Sequence, residues 1–353
     1  MKAKNTMPEI YHCPLSPETV SSALTFLSPH LPHSLSLYRR LQFRNFSPSA
    51  QLLSTFNLTT HDSLSPATNT QTKWIIAFAD RSRRPETEVF LCCSWESTAV
   101  PTSEITHDQE CQALVRNLLA ALADLPAPAP TPLPSDSQHK NEAKHDDNNN
   151  IYTSHLASPH LVLLGAVHET TANLIRNTGA LSPSTIEKNG MPEAYHRWVF
   201  PLHNLPSISS ERYPLSDGLV FGELRERDFG LVRSRTAIPR QDRTLRTVPR
   251  VAVYDCGDGE EGAPVAWAFL GVDGSLSTLH VEEGYRGRGV ARAVAVRLWE
   301  AQLGVFTETD GGERWASADV ATYNRESNAV CKGLGGEVGY IDYWLRIDLQ
   351  KVR

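Results

Sequence analysis

The sequence predicts an α/β (α+β) protein. A mixed, mostly antiparallel sheet flanked by helices is expected over residues 206–353, with a second α/β part over residues 1–205. Three observations carry that expectation. Apolar runs of strand length alternate with helical stripes on both sides of a polar, proline-rich insert. The run 264–270 is apolar on both faces, Val265, Trp267 and Phe269 on one and Ala266, Ala268 and Leu270 on the other, so it needs helices on both sides of its sheet. The alternating segment Leu276-Ser277-Thr278-Leu279-His280-Val281 then leads through a basic, glycine-rich turn into a helical stripe.

In the N-terminal part, residues 16–28 and 34–44 read as short helices anchored by Leu24, Phe26, Leu27, Leu37 and Leu41. Residues 74–79 and 89–93 read as a strand hairpin joined by the polar loop 81–88. A helix follows at 107–124, with Leu114, Val115, Leu118, Leu119 and Leu122 on one stripe. Residues 125–150 hold too little apolar surface to offset their ordering entropy and are expected to be disordered. Order resumes with a strand at 161–167 and a helix at 169–178 ended by Gly179, so the insert interrupts one α/β domain. Trp198-Val199-Phe200 is expected to close that domain as its last strand.

In the C-terminal part a helix is expected at 223–235, with Leu224, Phe229, Leu231 and Val232 inward, and a short one at 241–247. Strands at 250–255, 264–270 and 275–281 form a meander, with Asp273-Gly274 as one hairpin turn. A strand at 315–320, a helix at 325–333 and one or two strands within 340–349 complete the chain.

The 353 residues, 40% apolar and 21% charged, have ordinary globular composition and suffice for two domains. A net charge of −6 argues against a dedicated nucleic-acid binder. No apolar run approaches the ~18 residues of a membrane span. The N-terminal segment has basic residues but no apolar core of a secretory signal, which makes the cytoplasm the expected location. The six cysteines, Cys13, Cys92, Cys93, Cys111, Cys256 and Cys331, lack metal-site spacing and read as free thiols, and no metal is expected.

Most of the functional reading grows from Tyr285-Arg286-Gly287-Arg288-Gly289-Val290-Ala291. A glycine-rich strand-to-helix turn gathers backbone N–H groups at the positive end of a helix, which suits a phosphate. Gly287 and Gly289 place no Cβ between backbone and anion. Val290, Ala291, Val294 and Leu298 fall within about 100° of arc on the following helix, with Arg292 and Glu300 off that stripe. The spacing is neither that of a P-loop nor a complete dinucleotide fingerprint, and a bare structural turn is the alternative.

The order of elements, two helices, a three-stranded meander, glycine-rich turn, helix, strand, helix and strand, resembles the GNAT superfamily of acyl-CoA-dependent N-acyltransferases. Arg286-Gly287-Arg288-Gly289-Val290-Ala291 matches its acyl-CoA motif, Arg/Gln-x-x-Gly-x-Gly/Ala. Asn324-Arg325-Glu326-Ser327, with Leu334-Gly335 ten residues after Asn324, has the spacing of its Asn-x-x-Ala…Leu-Gly helix. With Ala266-Trp267-Ala268-Phe269-Leu270-Gly271, the chain looks like the glycine N-acyltransferase-like branch over 220–340, and a half-domain of similar layout is expected over 1–205.

The resemblance implies acetyl-CoA or another acyl-CoA as co-substrate and a small primary amine, such as an amino acid, as acceptor. It implies that Leu279 and Val281 offer backbone groups to the pantetheine arm. It also implies that the loop from Arg286 through Gly287, Arg288, Gly289, Val290 and Ala291 cradles the pyrophosphate, with Asn324 on the next helix. Where relatives carry a thiolate-protonating Tyr, seven residues after the Asn, this chain has Cys331, a donor or a packed core residue. Candidate bases are His280 and Glu282, which share a strand face by the period of two, then Glu283 and Asp319. The arginines of 223–250 read as a solvated face, or, if some converge on the cleft, as a sign of an anionic acceptor. Alternative readings are a non-catalytic acyl-CoA-binding module and a protein or peptide N-acetyltransferase.

Overall fold

The computed structural model describes residues 9–59, 73–128, 146–183, 191–202, 211–236, 238, 240–258, 262–307 and 315–352. The chain divides into two compact units, one made of Met1–Ala194 with Ile341–Arg353 and the other of Tyr195–Tyr340. The sequence boundary at 205/206 compares with a division at Ala194/Tyr195, and the last strand is shared.

The first unit opens with β1 (Tyr11–Pro14), α1 (Pro17–Leu27) and α2 (Leu35–Phe43). Strands β2 (Gln51–Ser54), β3 (Ile75–Ala79) and β4 (Val89–Cys93) follow as an antiparallel meander. The helix expected at 107–124 is two: α3 (Thr102–His107) and α4 (Gln109–Asp124). Asp108 separates them because its carboxylate accepts from the Glu110 and Cys111 N–H groups and caps α4. Most of the segment expected to be disordered lies outside the described residues, but from residue 146 the chain is helical, as α5 (Asp146–Ala157). Then come β5 (Leu161–His168) and α6 (Glu169–Asn177), which Gly179 ends at φ 76°. β5 runs parallel to β4 but pairs with it only at Val89–Leu164.

The second unit repeats this layout. β6 (Ala194–Pro201) leads to β7 (Leu219–Gly222), a strand the sequence reading missed. The helix expected at 223–235 shrinks to α7 (Phe229–Ser234) behind a 3-10 turn at Glu226–Asp228, followed by α8 (Asp242–Leu245). The meander is β8 (Arg250–Asp255), β9 (Ala266–Leu270) and β10 (Ser275–Val281). Every residue of β9 is buried, as its two apolar faces require. Helices α9 (Val290–Gln302) and α10 (Gly304–Thr307), β11 (Trp315–Ala321), α11 (Arg325–Gly333) and β12 (Glu337–Asp348) follow.

The sixth strands are exchanged. β6 follows α6 in the chain, yet 195–201 pair antiparallel with β11 in the second unit. β12 follows α11, yet 342–348 pair antiparallel with β5 in the first. Trp198-Val199-Phe200 is thus a strand, as expected, and it pairs antiparallel with β11.

Candidate active site

The site is built on β10 and the turn that follows it. β10 pairs parallel with β11 only at Ser275–Ser317 and Leu276–Ala318, so the two strands part beyond Leu276. On its other edge β10 pairs with β9, Ser277 against Phe269 and His280 against Trp267. Three steps along β10 therefore match two along β9, which is a β-bulge, and Thr278 sits in it at φ 53°. The bulge re-phases the strand, placing Ser277 and His280 on one face although their numbers differ by an odd count. The Glu282 N–H bonds to Val265 O on the β9 side, so by alternation the backbone groups of Leu279 and Val281 point to the parted edge. The Val281 carbonyl already accepts from Arg286 Nε at 2.9 Å, so Arg286 braces the turn as well as adding charge to it.

The turn closes with Tyr285 and Arg286 N–H groups bonding back to Glu282 and Glu283. Gly287 and Gly289 then take φ of 74° and 79°, a region costly for any residue with a Cβ. Gly289 caps α9 without a side chain, and Arg292 and Ala293 are the first to bond back to it. Among the described residues the N–H groups of Gly287, Arg288, Gly289, Val290 and Ala291 form no hydrogen bond, leaving a cradle of donors at a positive helix end.

Two braces hold the cradle. Tyr285 donates its hydroxyl to Asp255 Oδ2 at 2.8 Å, and Arg288 lies 5.5 Å over the Tyr285 ring. The Gly257 N–H and the Tyr285 hydroxyl hold the Asp255 carboxyl below its usual range. Arg292, read from sequence only as off the apolar stripe, has its guanidinium 4.0 Å from where a Cβ on Gly289 would stand and 3.4 Å from one on Gly333. Its spacing of three from Gly289, one helical turn, was the signal that could have placed it beside the loop.

His280 stacks on Trp267, ring centroids 4.6 Å apart at 23°. Its Nε2 is buried without a hydrogen-bond partner and stands 3.7 Å from Glu282 Oε1. Burial first pushes the imidazole below its ordinary value, against the opposing pull of Glu282, and so favours the neutral ring. Glu282 itself accepts from Arg235 Nε at 2.9 Å. The structure thus brings His280 and Glu282 together, whereas Glu283 lies exposed in the 3-10 turn.

The remaining candidates are engaged elsewhere. Both Asp319 oxygens lie 2.7 Å from Arg197 Nη1, so this carboxylate is an ion-pair partner. Asn324 caps α11 by accepting the Ser327 N–H at 3.0 Å. Cys331 is 3% exposed, and burial and then Asp319 push its thiol up to about 12. Such a thiol is a far weaker acid than an ordinary thiol near ~8.5. Among the arginines of 223–250, Arg225 pairs with Asp228, Arg233 with Asp242, Arg246 with Glu226 and Arg250 with Glu223. Arg235 reaches Glu282, just after β10, and Arg240 reaches Ser277 Oγ on β10. Among the described residues no cluster of His, Cys, Asp or Glu could hold a metal ion. No described helix is long and apolar enough to cross a membrane.

A family model described as the acyl-CoA N-acyltransferase verG N-terminal domain matches residues 7–198, the part where the sequence resemblance was thinnest. Among solved structures, a Drosophila protein superposes with a TM-score of 0.56 at 15% identity, covering 95% of this chain and 98% of that one. The shared feature is the mixed, mostly antiparallel sheet flanked by helices, the GNAT-type layout. A tandem GNAT protein from the clavulanic acid biosynthesis pathway, solved without AcCoA, aligns at 11% identity and a TM-score of 0.43, covering 97% and 99%. No curated protein matches the chain.

Proposed function

The chain belongs to the family of acyl-CoA N-acyltransferases represented by the verG N-terminal domain, and on that premise we propose that its second unit transfers an acyl group from acyl-CoA to a primary amine. The observation that carries this reading is the row of unbonded N–H groups from Gly287 to Ala291 at the start of α9, flanked by Arg286, Arg288 and Arg292. The pyrophosphate of acetyl-CoA, or of a longer acyl-CoA, lies on this cradle. The pantetheine arm runs along the parted edge of β10, taking hydrogen bonds from Leu279 and Val281. Asn324 serves from the end of α11 as a cap that fixes the second wall.

Neutral His280 accepts a proton from the attacking amine as its nitrogen bonds to the thioester carbon. The C–S bond breaks and the electron pair leaves on sulfur. A CoA thiolate is stable enough to depart with little acid assistance, and the raised Cys331 thiol is assigned a packing role. The acceptor is a small amine, with an amino acid of the glycine N-acyltransferase-like branch as the leading candidate. Free thiols, five buried and one exposed, favour a reducing compartment, the cytoplasm.

Calorimetric titration of acetyl-CoA into the wild type and into Gly289→Asp tests the cradle. Aspartate tolerates the left-handed φ at a modest cost, about 1 kcal/mol, while its carboxylate occupies the anion position. Binding by the wild type and at least 100-fold loss in the folded variant is expected. Equal binding, or none by the wild type with acetyl- or longer acyl-CoA, removes the reading. The burial of Cys331 favours a second reading, a non-catalytic acyl-CoA-binding module. Release of free CoA with a panel of amines separates the two, and turnover with peptides alone identifies a protein N-acetyltransferase.

A further inference from the structure

Among the eight arginines between residues 223 and 250, Arg235 pairs with a carboxylate that also faces the candidate base. Glu282 Oε1 lies 2.9 Å from Arg235 Nε and 3.7 Å from His280 Nε2, so one carboxylate oxygen stands between a guanidinium and an imidazole. The shorter contact is a charge-assisted hydrogen bond and the longer one is not a hydrogen bond. His280 cannot turn to another partner, because its ring is stacked on Trp267 and its Nε2 is buried.

We propose that Arg235 is a positioning residue for the base: by holding Glu282 in an ion pair it stops the carboxylate from closing on His280, and so leaves the imidazole unpaired to take the amine proton. This rests on the assignment of His280 as base. The groups that bear on the ring are few. Burial, with Trp267 on β9 stacked over the ring, disfavours the protonated form, Glu282 just after β10 favours it, Arg286 from the turn and Arg235 from the end of α7 oppose it, and Arg240 stands on the same face at Ser277 Oγ. Removing Arg235 acts twice in one direction. A cation is lost near the ring, and Glu282 is released to close the 3.7 Å gap and pair with an imidazolium.

The test reads His280 directly, by carbon–proton NMR of its imidazole as pH is varied, with the signal assigned from His280→Gln. In Arg235→Gln the midpoint rises by about one pH unit, as expected when a nearby cation is lost and the carboxylate moves from 3.7 Å to hydrogen-bond distance. In Glu282→Gln it falls, and in the double variant the Arg235 substitution adds little. The acid limb of kcat at saturating substrates moves in the same directions. An unmoved His280 midpoint in Arg235→Gln, or an equal rise in the double variant, overturns the positioning role. An acid limb of kcat that persists in His280→Gln instead overturns the assignment of the base, and the NMR result still decides how Arg235 acts.

Discussion

His168 and Glu96, both in the first unit, titrate in the same pH range with opposite consequences. His168 is held down to about 4, by burial first and His33 second. Its Nδ1 accepts the Thr170 N–H at 3.2 Å to cap α6, and a protonated ring can no longer accept there. The unfolded ring takes its proton near ~6.5, so this residue lowers stability as pH falls from about 6.5 to 4. Glu96, 5% exposed and accepting from the Thr171 hydroxyl at 2.6 Å, is pushed up to about 7 by burial. Its contribution is full below the unfolded value near ~4.3 and is lost as pH rises to about 7. Each shift is worth on the order of 3 kcal/mol, so the two slopes offset one another in the wild type. Urea midpoints measured from pH 4 to 7.5 check this. Glu96→Gln should lose stability toward acid more steeply than the wild type, and His168→Asn, which keeps a capping side chain, less steeply. Curves parallel to the wild type in both variants would remove both assignments.

At the scale of elements, the connection between β3 and β4 is fastened to β5 by one carboxylate. Glu88 is fully buried, accepting from Arg81 Nε at 2.8 Å and from the Leu163 N–H at 3.1 Å, with His155 Nε2 at 2.8 Å. Arg81 also donates to the Pro159 and Leu161 carbonyls. Glu88→Ala leaves the Arg81 cation buried without its counter-charge and should cost about 3–5 kcal/mol, read as a lower urea midpoint. Glu88→Gln, which keeps the shape and one acceptor, should cost less. In the second unit the bulge on β10 has the comparable positional role, since it puts Ser277, and with it Arg240, on the face of His280. The parting of β10 from β11 beyond Leu276 opens the edge that an extended arm can join.

For the whole molecule the exchanged strands matter most. The first unit takes its last strand from the far end of the chain, and Leu345, Ile347 and Leu349 from that segment are buried in its core. Removing them exposes β5 along its length and forfeits about 1.5–3 kcal/mol for each apolar side chain, a sum comparable to the ~5–15 kcal/mol that holds a domain together. A chain ending at Tyr340 should therefore lose the cooperative unfolding of its first unit and become sensitive to limited proteolysis within 73–183. Retention of that transition would mean that β12 is dispensable to the unit.

By itself the sequence determined the class of the fold, most of its elements and the turn at 285–291, because strand alternation, helical stripes and paired glycines are local signals written in neighbouring residues. The pairing of His280 with Glu282 was also within reach, lying two residues apart on one strand. The same local view missed β1, β2, β7, α5 and α10 and ran α3 and α4 together. Only the tertiary structure decided that β6 and β12 change places, since hydrogen-bond partners leave no trace in a strand's own periodicity. It alone set the bulge that re-phases Ser277, and the burial that raises Cys331 and lowers His280. It alone brought Arg235 from a stretch of eight arginines to Glu282. Each of these depends on which distant atoms exclude water or supply charge, and that is settled by packing rather than by spacing along the chain.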